Sequence, residues 1–129
     1  MLKITINNHE HWANSDKEIE HLLRDHEASE YREIWIENDK ANMCALAAGK
    51  IAWLMFLRFN GDAGFSSRNP NYTGAKDEML EFMLSNGQMD EYPLSWTLPE
   101  ETWVKAILHF AKTGQPIKTI QWHDDGGQK

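Results

Sequence analysis

Nine consecutive residues, Ile51-Ala52-Trp53-Leu54-Met55-Phe56-Leu57-Arg58-Phe59, constrain this chain more than any other segment. In an extended strand successive side chains point to opposite faces. Ile51, Trp53, Met55, Leu57 and Phe59 then fall on one face, and Ala52, Leu54 and Phe56 on the other. A strand apolar on both faces needs cover on both, so it belongs in the centre of a sheet. Its uninterrupted apolar part, Ile51 to Leu57, is seven residues long, far short of the ~20 that cross a bilayer as a helix. No membrane association is expected.

The segments around it supply the rest of a sheet. Tyr31 to Glu37 alternates, with Ile34 and Ile36 on one face and Tyr31, Glu33, Trp35 and Glu37 on the other. Asn38-Asp39-Lys40 reads as a turn, Asn42 to Ala48 as a strand of small apolar residues, and Gly49-Lys50 as a second turn. Such short connections favour an antiparallel meander. Met1 to Ile6 also has a strand's period of two. His9-Glu10-His11 reads as a polar loop after it. Ser15 followed by Glu18 forms a capping box, and Ile19, Leu22, Leu23 and His26 make one stripe, so a helix is expected to about Glu27. Asn60 to Gly74 is loop-like, with a short edge strand at Phe65 to Arg68. Glu78 to Ser85 suits a helix or a strand and is taken as a strand, since Asn86-Gly87 marks a turn. Pro99 opens a second helix at its first turn, and Trp103, Val104, Ile107, Leu108, Phe110 and Ala111 form its stripe. Gly114 and Pro116 end it. Ile117 to Trp122 is a last strand.

These elements predict an α+β fold: a mainly antiparallel sheet of about five or six strands with two helices packed on one face. One domain spans residues 1–122, and 123–129 form a flexible polar tail. The second sheet face is expected to be partly open, leaving Tyr31 and Trp35, or the row of Trp53, to a partner.

At 129 residues the chain can bury a core without staples. Cys44, its only cysteine, makes an internal disulfide impossible and is expected to be a buried, inert thiol. Met1 to Ile6 lacks the apolar stretch of a secretion signal, so a cytoplasmic location is expected. Thirteen basic residues against 20 acidic give a net charge of −7. Binding to phosphates works through Lys and Arg, so direct nucleic-acid binding is disfavoured and a basic protein partner is allowed. From Asp77 through Val104 there are seven acids and no Lys or Arg.

No catalytic constellation stands out. His9 and His11 have metal-ligand spacing on a strand, but no third ligand is nominated, and neither metal nor cofactor is expected. Gly64-Phe65-Ser66-Ser67-Arg68 lacks the last glycine of a nucleophile elbow. Gly61, Gly64 and Gly74 lack the Lys-Ser/Thr of a phosphate loop. Interaction chemistry remains: Asp90-Glu91-Tyr92-Pro93 puts acids beside an aromatic anchor.

Several segments in order carry a family resemblance. They are Trp53-Leu54-Met55-Phe56-Leu57-Arg58, Gly61-Asp62, Phe65-Ser66-Ser67-Arg68-Asn69-Pro70, Leu84-Ser85-Asn86-Gly87-Gln88, Asp90-Glu91-Tyr92-Pro93 and Ile120-Gln121-Trp122. Together, over about residues 31–122, they resemble the first immunity-protein (Imm) family of bacterial polymorphic toxin systems. The resemblance implies a non-catalytic α+β domain that binds and neutralises a cognate toxin domain, often a nucleic-acid deaminase. Occlusion of the toxin's active site is the expected mechanism. Acids beside aromatics nominate Asp62, Asp90, Glu91 and Tyr92 for the interface, with Glu33, Trp35 and Glu37 as a second patch. Phe65 to Pro70 fit either a structural loop or the interface. The alternatives are a small ligand-binding or enzymatic domain using the 60–74 loop, and a homodimer joined through a bare sheet face.

Overall fold

The computed structural model describes residues 2–39 and 41–126. In chain order it runs β1 (Leu2–Ile6), β2 (His9–Ala13), α1 (Asp16–Arg24), β3 (Tyr31–Glu37), β4 (Asn42–Ala48), β5 (Ile51–Leu57), β6 (Phe65–Arg68), β7 (Met79–Met83), β8 (Met89–Pro93), a 3₁₀ turn at Leu94–Trp96, α2 (Glu100–Thr113) and β9 (Gln121–Asp124). The fold is α+β, as expected. Seven strands form one antiparallel sheet in the order β2-β1-β3-β4-β5-β6-β9, and β7 and β8 form a separate two-stranded sheet. Two more strands are therefore present in the main sheet than the low end of the expected number.

Both helices lie on one face. Ile4, Ile34, Ile36, Met43, Leu54 and Phe56 pack there against Ile19 and Leu23 of α1 and Val104, Ile107 and Phe110 of α2. Small residues make room for the largest side chain. Register places Arg32, Ala47 and Ala52 in one row. The indole of Trp103, itself 0% exposed, sits 5.7 Å from the Arg32 guanidinium and donates to the Lys50 carbonyl at 2.9 Å. Burying side chains of this size contributes about 1.5–3 kcal/mol each.

The second face is covered at its centre and open toward β2, where Trp12 is exposed. Cys44, Leu46 and Trp53 form a second core with Phe82 of the hairpin, joined by Leu80, Tyr92 and Trp96. The two-faced apolar strand thus has its expected cover, but from β7 and β8 rather than from a partner. The Trp53 row is buried under them, with Trp53 only 4% exposed.

Other boundaries moved for physical reasons. His9–Ala13 is a strand, not a polar loop, because Asn7 and Asn8 both take positive φ (50° and 71°) and close a tight hairpin. Helix α1 is capped at Ser15, whose Oγ accepts from the Glu18 N–H at 3.2 Å. It stops at Arg24 rather than near Glu27. Tertiary contacts take over there: Arg32 donates to the Leu23 carbonyl at 2.8 Å, and the His26 ring lies 2.6 Å from the Glu100 carboxylate. Pro99 is the extended residue before α2 rather than its first turn, and Gly114 ends the helix at φ 73°. Asp90 to Pro93, given no element from sequence, lie in strand β8. Strand β6 is not at an edge, because β9 pairs outside it. The last strand starts later than Ile117 and takes in His123 and Asp124, so these two are not part of a tail. Residues 127–129 of the expected tail lie outside the described residues, as does Lys40 of the expected turn.

Candidate interaction surface

The hairpin β7–β8 has two unlike faces because its register is strict. Leu80 lies opposite Tyr92 and Phe82 opposite Asp90, while Met79, Glu81 and Met83 lie opposite Pro93, Glu91 and Met89. Leu80, Phe82 and Tyr92 point inward. The Tyr92 ring is 4.5 Å from Trp53, 6.0 Å from Phe82 and 6.0 Å from Trp96, centroid to centroid. Tilted aromatic pairs of this kind add about 0.5–1.5 kcal/mol each beyond burial. The Arg68 guanidinium covers the far side of this cluster, 3.9 Å from the Trp96 ring.

Among the described residues, no backbone ladder joins the hairpin to the seven-stranded sheet. A carboxylate fastens its tip instead. Glu33 Oε1 accepts from both the N–H and the hydroxyl of Ser85, each at 2.8 Å, and Glu33 Oε2 accepts from Trp35 Nε1 at 2.7 Å. Burial pushes the Glu33 carboxyl up, but the bonds from the Ser85 N–H, Trp35 and the Ser85 hydroxyl outweigh it and hold the group below the usual range.

The outward face is chemically different. Met79, Met83 and Met89 are 46%, 40% and 39% exposed, and Glu81 and Glu91, also exposed, stand directly opposite each other. Like charges paired across strands destabilise a sheet. Residues 77–104 contain no Lys or Arg to relieve that repulsion. Methionine is unbranched and polarisable, so it adapts to varied partner surfaces. The face therefore combines pliable apolar contact with uncompensated negative charge.

The residues singled out from sequence are distributed around this hairpin unevenly. Glu91 stands on its outward face. Asp90 is held by Gln88 Nε2 at 2.8 Å and by the Tyr92 hydroxyl at 3.2 Å, at the edge of the inward side. Tyr92 is an internal anchor, and burial, with Asp90 beside it, raises its phenol above the ordinary value. Glu33 and Trp35 lie half-buried beneath the hairpin tip. Glu37 is exposed and pairs with Lys3 at 3.3 Å. Asp62 is elsewhere, in the turn leaving β5. Its carboxylate takes both the Nε and Nη2 of Arg58, at 2.8 and 2.9 Å, and the Arg58 N–H at 2.9 Å. Those bonds hold the Asp62 carboxyl far below its ordinary range, first the Arg58 side chain and then its N–H. Met79, Met83, Met89 and Glu81 were missed. For all but Met89 the signal was the alternation of residues 79–83, obscured because an apolar residue occupies four of those five positions.

The other chemistry-bearing residues have structural partners. Ser67, 0% exposed, accepts from the Leu54 N–H and donates to the Trp96 carbonyl, both at 2.9 Å, so it ties β5 to the 3₁₀ turn. Ser66 lies opposite His123, but its hydroxyl is buried and accepts from Arg68 Nη1 at 2.8 Å. Cys44 is buried, as expected, and burial pushes its thiol well up. Among the described residues, no group of three or more His, Cys, Asp or Glu could hold a metal ion. No helix among the described residues is long and apolar enough to cross a membrane. A cleft of about 580 Å³ lies on the helix side, lined by Phe56, Phe65, Trp122 and Pro116 with Arg58. Neither a known family model nor a curated protein matches the chain.

Proposed function

We propose that this protein is an immunity-type inhibitor that binds a cognate bacterial toxin domain, of the nucleic-acid deaminase class, and blocks access to its active site. The observation that carries this reading is the outward face of β7–β8, where three exposed methionines surround the unrelieved pair Glu81 and Glu91. A surface that keeps two carboxylates together at a cost to its own stability is suited to a positively charged counterpart. An enzyme acting on nucleic acid offers one, since its approach must attract phosphate. The resemblance to immunity proteins supplies the class of partner. Neutralising a lethal enzyme calls for nanomolar affinity, about −12 kcal/mol, and an interface near 1,600 Å² is compatible with it.

The test is calorimetry of the purified protein with the toxin domain encoded beside its gene, at low and physiological salt. Nanomolar binding that weakens with salt is expected. The double variant Glu81→Lys, Glu91→Lys should slow association by about tenfold or more, because charge acts chiefly on the on-rate. Absence of binding would overturn the inhibitor reading. Full affinity in the double variant would remove the hairpin from the interface.

The aromatic cleft beside Arg58 favours a second reading, a site for a small flat molecule. Its volume lies within the ~300–1,000 Å³ of ligand pockets. Part of its wall is Phe65, from the 60–74 segment. A small molecule retained on purification, and lost in Trp122→Ala, would favour that reading.

A further inference from the structure

Strand β2 is the outer strand of the seven-stranded sheet, and no described strand pairs with its free side. Its hydrogen-bonding phase is fixed. The Asn7 N–H donates to the Glu33 carbonyl at 3.0 Å, so the odd-numbered residues of β1 direct their backbone groups to β3 and the even-numbered ones to β2. Ile6 and Ile4 are the register partners of His9 and His11. The N–H and C=O groups of Glu10 and Trp12 therefore point off the sheet. Such an edge is a template for another strand. This one carries no proline or lysine to block pairing, and its Trp12 is 58% exposed.

His9 and His11 stand on the helix-side face of this edge, opposite Ile6 and Ile4. His9 is exposed and His11 partly so. Residues two apart in a strand are about 7 Å apart. Two imidazoles at that spacing are a partial ligand set for a borderline divalent ion such as zinc. No third ligand joins them among the described residues.

We infer that two copies of this chain pair antiparallel along β2, centred on Glu10, and hold one zinc-class divalent ion between His9 and His11 of each copy. In that register His9 of one copy lies opposite His11 of the other. The four rings then stand at the corners of a rectangle roughly 7 Å by 5 Å on a single face. Zinc takes four such donors in a tetrahedron at about 2.0–2.1 Å. Glu10 of each copy meets its counterpart on the opposite face. Lys3, 3.6 Å from Glu10 in its own chain, offsets that repulsion. The site is incomplete in one chain and complete in two.

The experiment is sedimentation of the full chain with EDTA and with added zinc chloride, alongside metal titration and the absorption of a cobalt(II) substitute. A monomer in EDTA, a dimer in zinc, one metal per two chains and a tetrahedral cobalt spectrum are expected. His9→Ala and His11→Ala should each weaken zinc binding by roughly 100-fold or more, beyond the ~10–100-fold typical of outer-shell partners, and should stay monomeric. His21→Ala, on α1, should behave as the parent. Circular dichroism checks that each variant is folded. A chain that stays monomeric in saturating zinc overturns the inference, as does a 1:1 complex. A dimer that survives EDTA and both histidine substitutions overturns it too.

Discussion

Arg32 is 1% exposed, and only its Nη1 finds an acceptor among the described residues, the Leu23 carbonyl at 2.8 Å. Burial pulls its guanidinium below the usual arginine range, against the attraction of Glu30, Glu100 and Asp25. A buried charge that is only partly bonded is a weak source of stability, whereas the space it fills is a strong one. Arg32→Met, which keeps the volume, is therefore expected to stay within about 1 kcal/mol of the parent. Arg32→Ala leaves a cavity under Trp103 and should lose about 2–4 kcal/mol. Urea denaturation of both variants checks this, and equal losses would show that the charge matters rather than the volume. Asp62 presents the opposite case. Its carboxylate side chain is 4% exposed and closes the turn after β5 through three bonds from Arg58. Asp62→Asn should lower the melting temperature and speed hydrogen exchange at Arg58, leaving exchange in α2 unchanged.

At the scale of elements, the hairpin β7–β8 depends on side chains for its attachment, since it shares no ladder with the main sheet. Ser85→Ala removes the hydroxyl bond to Glu33 while the N–H bond remains. A loss of about 1 kcal/mol is expected, or somewhat more because the acceptor is charged. Exchange should quicken across residues 79–93 before it quickens in β4 or β5, and uniform exchange would contradict a separately fastened hairpin. The sequence made the middle of the sheet legible because β3 alternates, β4 and β5 are short apolar runs, and short turns join the three. It hid β2, whose two histidines and glutamate read as polar loop until the Asn7-Asn8 turn is recognised as a hairpin closure. It hid β8 because Asp90, Glu91 and Pro93 are poor strand formers. Partnership with β7 and burial of Tyr92 overrode those preferences.

Across the whole molecule, charge and fold meet at Glu33. Its carboxyl is held below the ordinary range in the folded state, so its contribution is present above the unfolded value of about 4.3. That contribution is lost as the pH falls through the lowered folded value. Glu33→Gln should therefore be less stable than the parent at neutral pH, with the gap narrowing below about pH 4. Denaturant midpoints across that range test the sign, and a gap that widens in acid would reverse the assignment. The candidate surface was only half legible at this scale. Acidity between Asp77 and Val104 was visible by counting, but which side of the hairpin each residue occupies depends on a pairing register that a one-residue slip would invert. Glu91 was therefore found and Glu81 missed, while Tyr92, chosen as a contact, faces the core. That alternation separates two kinds of information in the same ten residues. Inward positions spell the packing, and outward positions, on the function proposed above, spell an address. Descendants of this chain could rewrite the address through Met79, Glu81, Met83, Met89 and Glu91 while inheriting the packing unchanged, so new specificities could arise without passing through an unfolded ancestor.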